Sequence, residues 1–411
     1  MRWATIAFGL TFFPDVVCAQ SFSWTQYAPT GLEARAVTTE TTCPAAEIDG
    51  ASVVMQVRAK PNEAFPVLAC AMPVPPAAKT VKVGGVLLAA APSMPKRIAV
   101  VGDTGCRLKG QYVQACNDPQ QWPFRQIAEM IAGKKPDLII HVGDYHYRET
   151  ACPGSDAGCA NSPFGDNWDA WRTDFFAPAT GLLPVAPWVM VRGNHEECER
   201  GGQGWSRTLE AQPFDEAKGC NGSSPPFIAR FSQLALAVID NSAASEPVGD
   251  DKLAEVFRAQ YASLAEQQTS TPIWLLQHRP IWSTGGVVAG LPFGDNKTLA
   301  LAARSTLPAR VQLMLSGHHH IFQVLGYVED LPTQVVVGHG GDYLNKGRAA
   351  NPAGWPINGV TVKSGVHQTG QFGFAMIEPD GADWVITNYD RSGAPLHRCG
   401  LKGRDVNCTS E

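Results

Sequence analysis

Apolar and polar positions along this chain change period several times, and the changes mark out its parts. From residue 98 onward, apolar runs of strand length recur, each stopped by glycine or a polar residue: Ile98-Ala99-Val100-Val101, Leu138-Ile139-Ile140-His141-Val142, Trp188-Val189-Met190-Val191, Pro272-Ile273-Trp274-Leu275-Leu276 and Val311 to Leu315. Runs of this kind read as short buried strands. Between them the spacing turns helical over Trp122 to Ala132, stopped by Gly133, then over Trp168 to Phe176 and Asp250 to Gln267. Phe231 to Asp240 alternates as a single strand, and Gln334 to Val337 with Phe372 to Met376 reads as antiparallel β closing the fold. Strand, helix, strand predicts a parallel crossover, so Asp103 and Asp144 are expected side by side on one sheet edge. Residues 20–95 differ. They alternate in short stretches bounded by Pro and Gly, such as Ser52 to Val57 and Thr80 to Val83, which predicts a small all-β module resembling a β-sandwich.

What stands at the strand ends changes the picture from fold to chemistry. Asp103 follows the first run, Asp144 and Tyr147 the second, Asn194 the third, His278 the fourth, and His318 and His320 the fifth. Open α/β sheets place their ligands at that rim. The donors are oxygen or imidazole nitrogen and none is a thiolate, a mixture that suits two divalent or mixed-valence transition ions. Asp144, with two oxygens, is able to join both ions. Tyr147 is the unusual donor, because a phenol binds metal well only when ionised. Holding it so at neutral pH shifts it by ~3 units, about 4 kcal/mol, which a hard trivalent ion such as ferric iron achieves and magnesium or calcium rarely does. Two ions roughly 3.5 to 4 Å apart form the clamp used for displacement at phosphorus. Each residue alone has an ordinary reading as a cap, turn or core residue; the same order repeated at five strand ends does not.

Composition narrows the class further. The hydrophobic fraction of 44% supplies a core, and a formal charge of −5 with dispersed lysine and arginine argues against a nucleic-acid surface. A small-molecule partner is expected. No apolar run reaches the roughly 18 residues of a membrane span. Arg2 before the apolar segment Trp3 to Phe13, followed by small residues up to Ala19, reads as a secretory signal peptide over 1–19, hence secretion or a periplasmic location. Of eleven cysteines, Cys18 leaves with that segment and ten remain, for which neighbouring pairs are expected: Cys43 with Cys70, Cys106 with Cys116, Cys152 with Cys159, Cys198 with Cys220, Cys399 with Cys408. The polar segment between Cys198 and Cys220 is expected to fold over the site. The domain reading is a catalytic part over 96–392 and a disulfide-pinned tail over 393–411.

The ordered motifs Asp-x-Gly, Gly-Asp-x-x-Tyr, Gly-Asn-His-Glu, a lone His before x-Pro, and Gly-His-x-His resemble those of the purple acid phosphatases within the calcineurin-like metallophosphoesterase superfamily. Most of that superfamily has Asp-x-His first; this chain has Gly105 there and supplies Tyr147 instead, as the purple branch does. The resemblance implies an α/β class, a four-layer α/β/β/α sandwich preceded by the small all-β domain. It implies Fe(III) held by Asp103, Asp144, Tyr147 and His320, and Fe(II), Zn(II) or Mn(II) held by Asp144, Asn194, His278 and His318, with a metal-bound hydroxide attacking a small phosphomonoester at acid pH. His195 is then placed to hold a phosphate oxygen or protonate the leaving group, with Glu196 orienting it. Plant and mammalian members have a further histidine where this chain has Val287, so His319 is a second candidate donor. Gly338-His339-Gly340-Gly341 is a weaker candidate for lining the phosphate pocket. The alternatives are phosphodiesterase or nucleotidase chemistry on the same metals, or a non-catalytic binding protein of the same fold.

Overall fold

The computed structural model describes residues 21–154, 156–244, 246, 248–266, 271–288, 291–347 and 349–410. The signal-peptide reading and Cys18 lie outside them. Two large sheets face each other. The first has, in order, Asp405–Ser410, Pro395–Lys402, Asp383–Asp390, Gly373–Asp380, Ile98–Val101, Leu138–His141, Trp188–Met190, Ser21–Ala28, Gly31–Thr38, Leu68–Pro73 and Gln56–Ala59. The second runs Phe227–Arg230, Ala235–Val238, Ile273–Leu276, Val311–Ser316, Thr333–Val337, Phe322–Tyr327, Val360–Gln368 and Pro356–Ile357.

Side-chain alternation sorts these strands into layers. Ile98, Val100, Leu138 and Ile140 point between the sheets and meet Trp274, Leu276, Leu313, Leu315 and Val335 in one core. Their neighbours Ala99, Val101 and Ile139 point outward and are covered by Phe124, Ile127 and Ile131 of the helix Phe124–Gly133, and by Trp168, Phe175 and Phe176. On the far side Ile273, Leu275 and Met314 are covered by Phe257 and Tyr261 of Asp251–Ser263 and by Leu299 of Lys297–Ala303. Helices, sheet, sheet, helices is the expected four-layer arrangement. The parallel crossover pairs Leu138 with Ile98 and Ile140 with Val100, so Asp103 and Asp144 leave the sheet at the same edge.

Four elements differ from the sequence reading. The strands expected to form a separate sandwich over 20–95 are β as predicted, but Ser21–Ala28 pairs in parallel with the catalytic strand at Trp188 and brings Gly31–Thr38, Leu68–Pro73 and Gln56–Ala59 with it. Only Ala46–Ile48, Ala51–Val53, Val81–Val83 and Val86–Leu88 form a sheet of their own. Alternation reports that a strand has a buried face, not which layer buries it. The stretch Phe231 to Asp240 is not one strand: Phe227–Arg230 and Ala235–Val238 form a hairpin, turning where Phe231 N bonds Leu234 O. The segment after 392, expected as a disulfide-pinned tail, is two strands at one edge of the larger sheet, joined by the Cys399–Cys408 disulfide. The segment between Cys198 and Cys220 meets the rim only at its start, where Arg200 reaches His195 and Asn194 O; the rest turns away from it. Trp205 and Leu209 bury it in the core beside Trp171, and its carbonyls at Ser206, Arg207, Thr208 and Glu210 accept from Arg35 and Arg58 of the N-terminal strands. The other four expected disulfides are also formed, Cys43–Cys70, Cys106–Cys116, Cys152–Cys159 and Cys198–Cys220.

Candidate metal centre

The turn after each catalytic strand decides where its donor points. Among the described residues, three of the seven non-glycine residues with positive φ are Asp103, Asp144 and His318, at 55°, 60° and 70°. A side chain held in that left-handed region costs on the order of 1–3 kcal/mol, and such costs gather where function requires a particular direction. Close packing sharpens the effect. A methyl group at Gly193 would collide with the Asp144 carboxylate, and one at Gly105 would sit 2.7 Å from Tyr145 O and 2.9 Å from Tyr147 N. There is no room at 105 for the histidine that most of the resembled superfamily carries; the Tyr147 backbone already fills that place. Asp174, fully buried, holds it there by accepting from the N–H groups of Cys106 and Tyr147 and from Arg148.

On one side of the centre, Tyr147 Oη lies 3.0 Å from Asp103 Oδ1, 2.7 Å from Asp144 Oδ2 and 3.0 Å from His320 Nε2. His320 Nδ1 is 2.7 Å from Tyr343 O, so that nitrogen carries the proton and Nε2 presents a lone pair. A phenol has a single proton to give, yet three acceptors converge on it. Burial, with Asp103 and Asp144 close by, pushes the phenol proton affinity well above its ordinary value, so an ionised ring here needs a cation beside it. Burial likewise raises Asp103 to about 6, against the pull of His320 and His278.

On the other side, His278 Nε2 is 3.1 Å from Asp144 Oδ2 and 3.2 Å from Asn194 Oδ1. His278 Nδ1, 2.8 Å from Val142 O, donates to that carbonyl. A neutral ring would again aim a bare nitrogen at two oxygens; without a cation the ring takes a proton instead, and although burial opposes the charge, Asp144 brings its pKa up to about 9. Asp144, His278 and His318 offer ligand atoms within 4.8 Å of one another. Lone pairs facing lone pairs, with the other nitrogen of His278 and of His320 on a carbonyl, is the outer arrangement that metal-bound histidines have. The seven residues named at the strand ends therefore fit two cations joined by Asp144.

The residues expected to handle protons are placed differently. His195 lies against the centre, its backbone N–H donating to Asp144 Oδ1 at 2.8 Å and its ring 3.7 Å from that of Tyr147. Its Nδ1 is 2.6 Å from both Glu149 Oε1 and Arg200 Nη2, and Arg200 Nη2 is also 2.7 Å from its Nε2. Burial lowers its pKa to about 3, against the pull of Asp144. Glu196 does not orient His195. Its carboxylate accepts from the N–H groups of Asp144, Tyr145, His146 and Gly193, tying the Asp144 turn to the Asn194 turn. The orienting groups are Glu149 and Arg200, which carried no motif signal, although Glu149 lies two residues beyond Tyr147. His319 has Nδ1 3.1 Å from Ser283 Oγ, Nε2 buried without a hydrogen-bond partner, and a pKa lowered to about 4 by burial. Val287 lies in the strand Gly286–Val288, paired with Leu291–Phe293. His339 bonds Asn388 far behind the rim, and Gly340 N and Asp342 N pin the backs of Gly102 and Asp103, so the 338–341 run supports the Asp103 turn from behind. Asp342 also pairs with Arg107, whose guanidinium lies 4.7 Å over the Tyr147 ring.

The family model for calcineurin-like phosphoesterases matches residues 96–322. Among solved structures, a purple acid phosphatase, PPD1, from yellow lupin (Lupinus luteus) seeds superposes with a TM-score of 0.52 at 13% identity, covering 94% of this chain and 74% of that one. PhoD superposes with a TM-score of 0.50 at 10% identity, covering 95% and 91%. At such identities the likeness is one of fold. No curated protein matches the chain.

Proposed function

From the premise that the chain belongs to the calcineurin-like phosphoesterase family and is a metal-dependent phosphoric ester hydrolase, we propose that it is an exported acid phosphatase of the purple type, cleaving small phosphomonoesters. The observation that carries this reading is the convergence of Asp103, Asp144 and His320 on the Tyr147 phenol oxygen. A buried phenol among carboxylates suits a trivalent ion, so Fe(III) is assigned to Asp103, Asp144, Tyr147 and His320, and Fe(II), Zn(II) or Mn(II) to Asp144, Asn194, His278 and His318. Two such ions, when bound, polarise phosphoryl oxygens and make hydroxide available well below the pKa of free water.

The chain's own residues supply the rest. His278 and His320 each donate Nδ1–H to a carbonyl, which fixes ring direction before any ligand arrives. Glu196 makes the Asp144 and Asn194 turns one rigid unit. His195, held at Nδ1 by Glu149, acts as the imidazolium that the negative charge of a bound phosphate ester favours against burial: once Arg200 yields the position, its Nε2–H donates to a phosphate oxygen or passes its proton to the departing alkoxide. His319, backed by Ser283, is the second group able to hold a proton near the leaving group. Five disulfides support an oxidising compartment; none of the described helices is long and apolar enough to cross a membrane.

A groove of about 690 Å³ beside Tyr343, Asn345 and Lys346 adjoins the segment that holds His320, and its room favours the alternative of a phosphodiester or nucleotide substrate. The deciding experiment is metal analysis, a visible spectrum and turnover on one preparation. A phenolate-to-iron band that Tyr147→Phe abolishes is expected, with an aryl phosphate turned over faster than its bis-aryl ester. A colourless protein fully loaded with zinc removes the iron assignment, and preference for the diester removes the monoesterase.

A further inference from the structure

His318 must offer a lone pair to the second ion if the reading above holds, and the groups around its other nitrogen decide whether it does. Its Nε2 lies 3.2 Å from Glu246 Oε2 and 3.1 Å from Arg279 Nη1. A neutral imidazole has one N–H. If Nε2 carries it, the ring donates to Glu246 and Nδ1 is bare; if Nε2 accepts from the guanidinium, Nδ1 carries the proton and has nothing to give a cation.

Both competitors are held in place. Glu246 Oε1 is 3.1 Å from Asn296 Nδ2, and the buried Asn296 in turn caps the helix Lys297–Ala303 by accepting from Leu299 N at 2.9 Å. Arg279 is fixed by Nε on Ser242 O at 2.8 Å and by its backbone N–H on Asn241 Oδ1 at 2.9 Å. Glu246 Oε1 and Arg279 Nη1 are 3.6 Å apart, so the carboxylate draws the guanidinium as well as the imidazole.

We propose that Glu246 is a positioning residue for the second metal ion: it fixes the His318 tautomer with the proton on Nε2 and keeps Arg279 from claiming that nitrogen. The proposal rests on the dinuclear reading. Its rival is a separate cation on Glu246, His318 and His319, which also cluster within 4.8 Å. Arg279, within 3.6 Å of both Glu246 and His318, already places a positive charge there.

The test is zinc titration of the metal-stripped full chain by calorimetry, with thermal melting alongside. Two equivalents are expected for the unaltered protein; a single equivalent that stays single when Fe(III) is supplied before zinc overturns the dinuclear reading itself. Glu246→Ala is expected to weaken the second ion by about 10- to 100-fold and to leave the first unchanged. Adding Arg279→Ala is expected to restore about tenfold, because the competing donor is gone; a purely structural role for Glu246 would predict further loss. If Glu246→Ala melts below the assay temperature, Glu246→Gln serves in its place with the same rescue expected. The proposal is overturned if the folded variant binds both ions within about twofold of the unaltered chain, if Arg279→Ala brings no recovery, or if a third equivalent disappears with Glu246.

Discussion

The two halves of the centre share Asp144 and are otherwise built unlike each other. The Tyr147 half is closed: its donors lie within about 3 Å of one oxygen, and each is backed by main chain or by fully buried side chains such as Asp174 and Asp342. The His318 half depends on a carboxylate from a motif-free stretch, with an arginine competing for the same nitrogen. One half is preorganised by the strand ends themselves, whereas the other is completed by a neighbour. The expectation is a tightly held first ion and an exchangeable second.

The largest blow to that contrast is Asp144→Asn, which strikes both halves at once. A loss in kcat/KM of at least about a thousandfold, roughly 4 kcal/mol, with weaker binding of both ions is expected; activity within tenfold of normal would mean the halves do not share this residue. Next comes acid stability, where His339 serves as a control outside either half. It is buried neutral, with a pKa lowered to about 4 by burial. The unfolded chain takes up its proton near 6.5, so the stability from this residue is whole above that pH and drains away as pH falls towards 4, by about 3 kcal/mol. His339→Gln is expected to flatten the melting temperature against pH across that window. An unchanged slope assigns the acid loss to groups other than His339. His195→Ala should cost about a hundredfold in kcat, as general acid–base groups do, with both ions retained in metal analysis. Loss of an ion would move His195 from the chemistry to the scaffold. Smallest is the difference in chelation: the second ion is expected to leave at a chelator concentration at least about tenfold below that which strips the first.

This contrast also explains what could be read from the chain. Asp103, Asp144, Asn194, His278 and His318 are legible because each stands just past an apolar run, where period and composition change together. Tyr147 is legible as the answer to Gly105, since one occupies what the other vacates. Glu246 and Glu149 act through distances closed by tertiary folding, and Arg200, though only five residues from His195, stands at no motif position. Glu196 was legible as a member of Gly-Asn-His-Glu, but three of its four N–H partners lie 50 to 52 residues back in the chain, which no local pattern records. The same limit governs the fold: strands within the catalytic core announced their faces, while the union of Ser21–Ala28 with Trp188 is a pairing, and alternation is silent about pairings.

The order of strands in the larger sheet has a consequence for biosynthesis. Ile98–Val101, which delivers Asp103, has Gly373–Asp380 as one neighbour, and the far edges of the sheet come from residues 56–59 and 405–410. A ribosome must therefore release nearly the whole polypeptide before the Asp103 strand gains its second flank, and contacts so distant in sequence close slowly. Trimming the last two hairpin strands, though they lie far from any cation, is expected to leave a nascent chain that waits open and vulnerable to proteases.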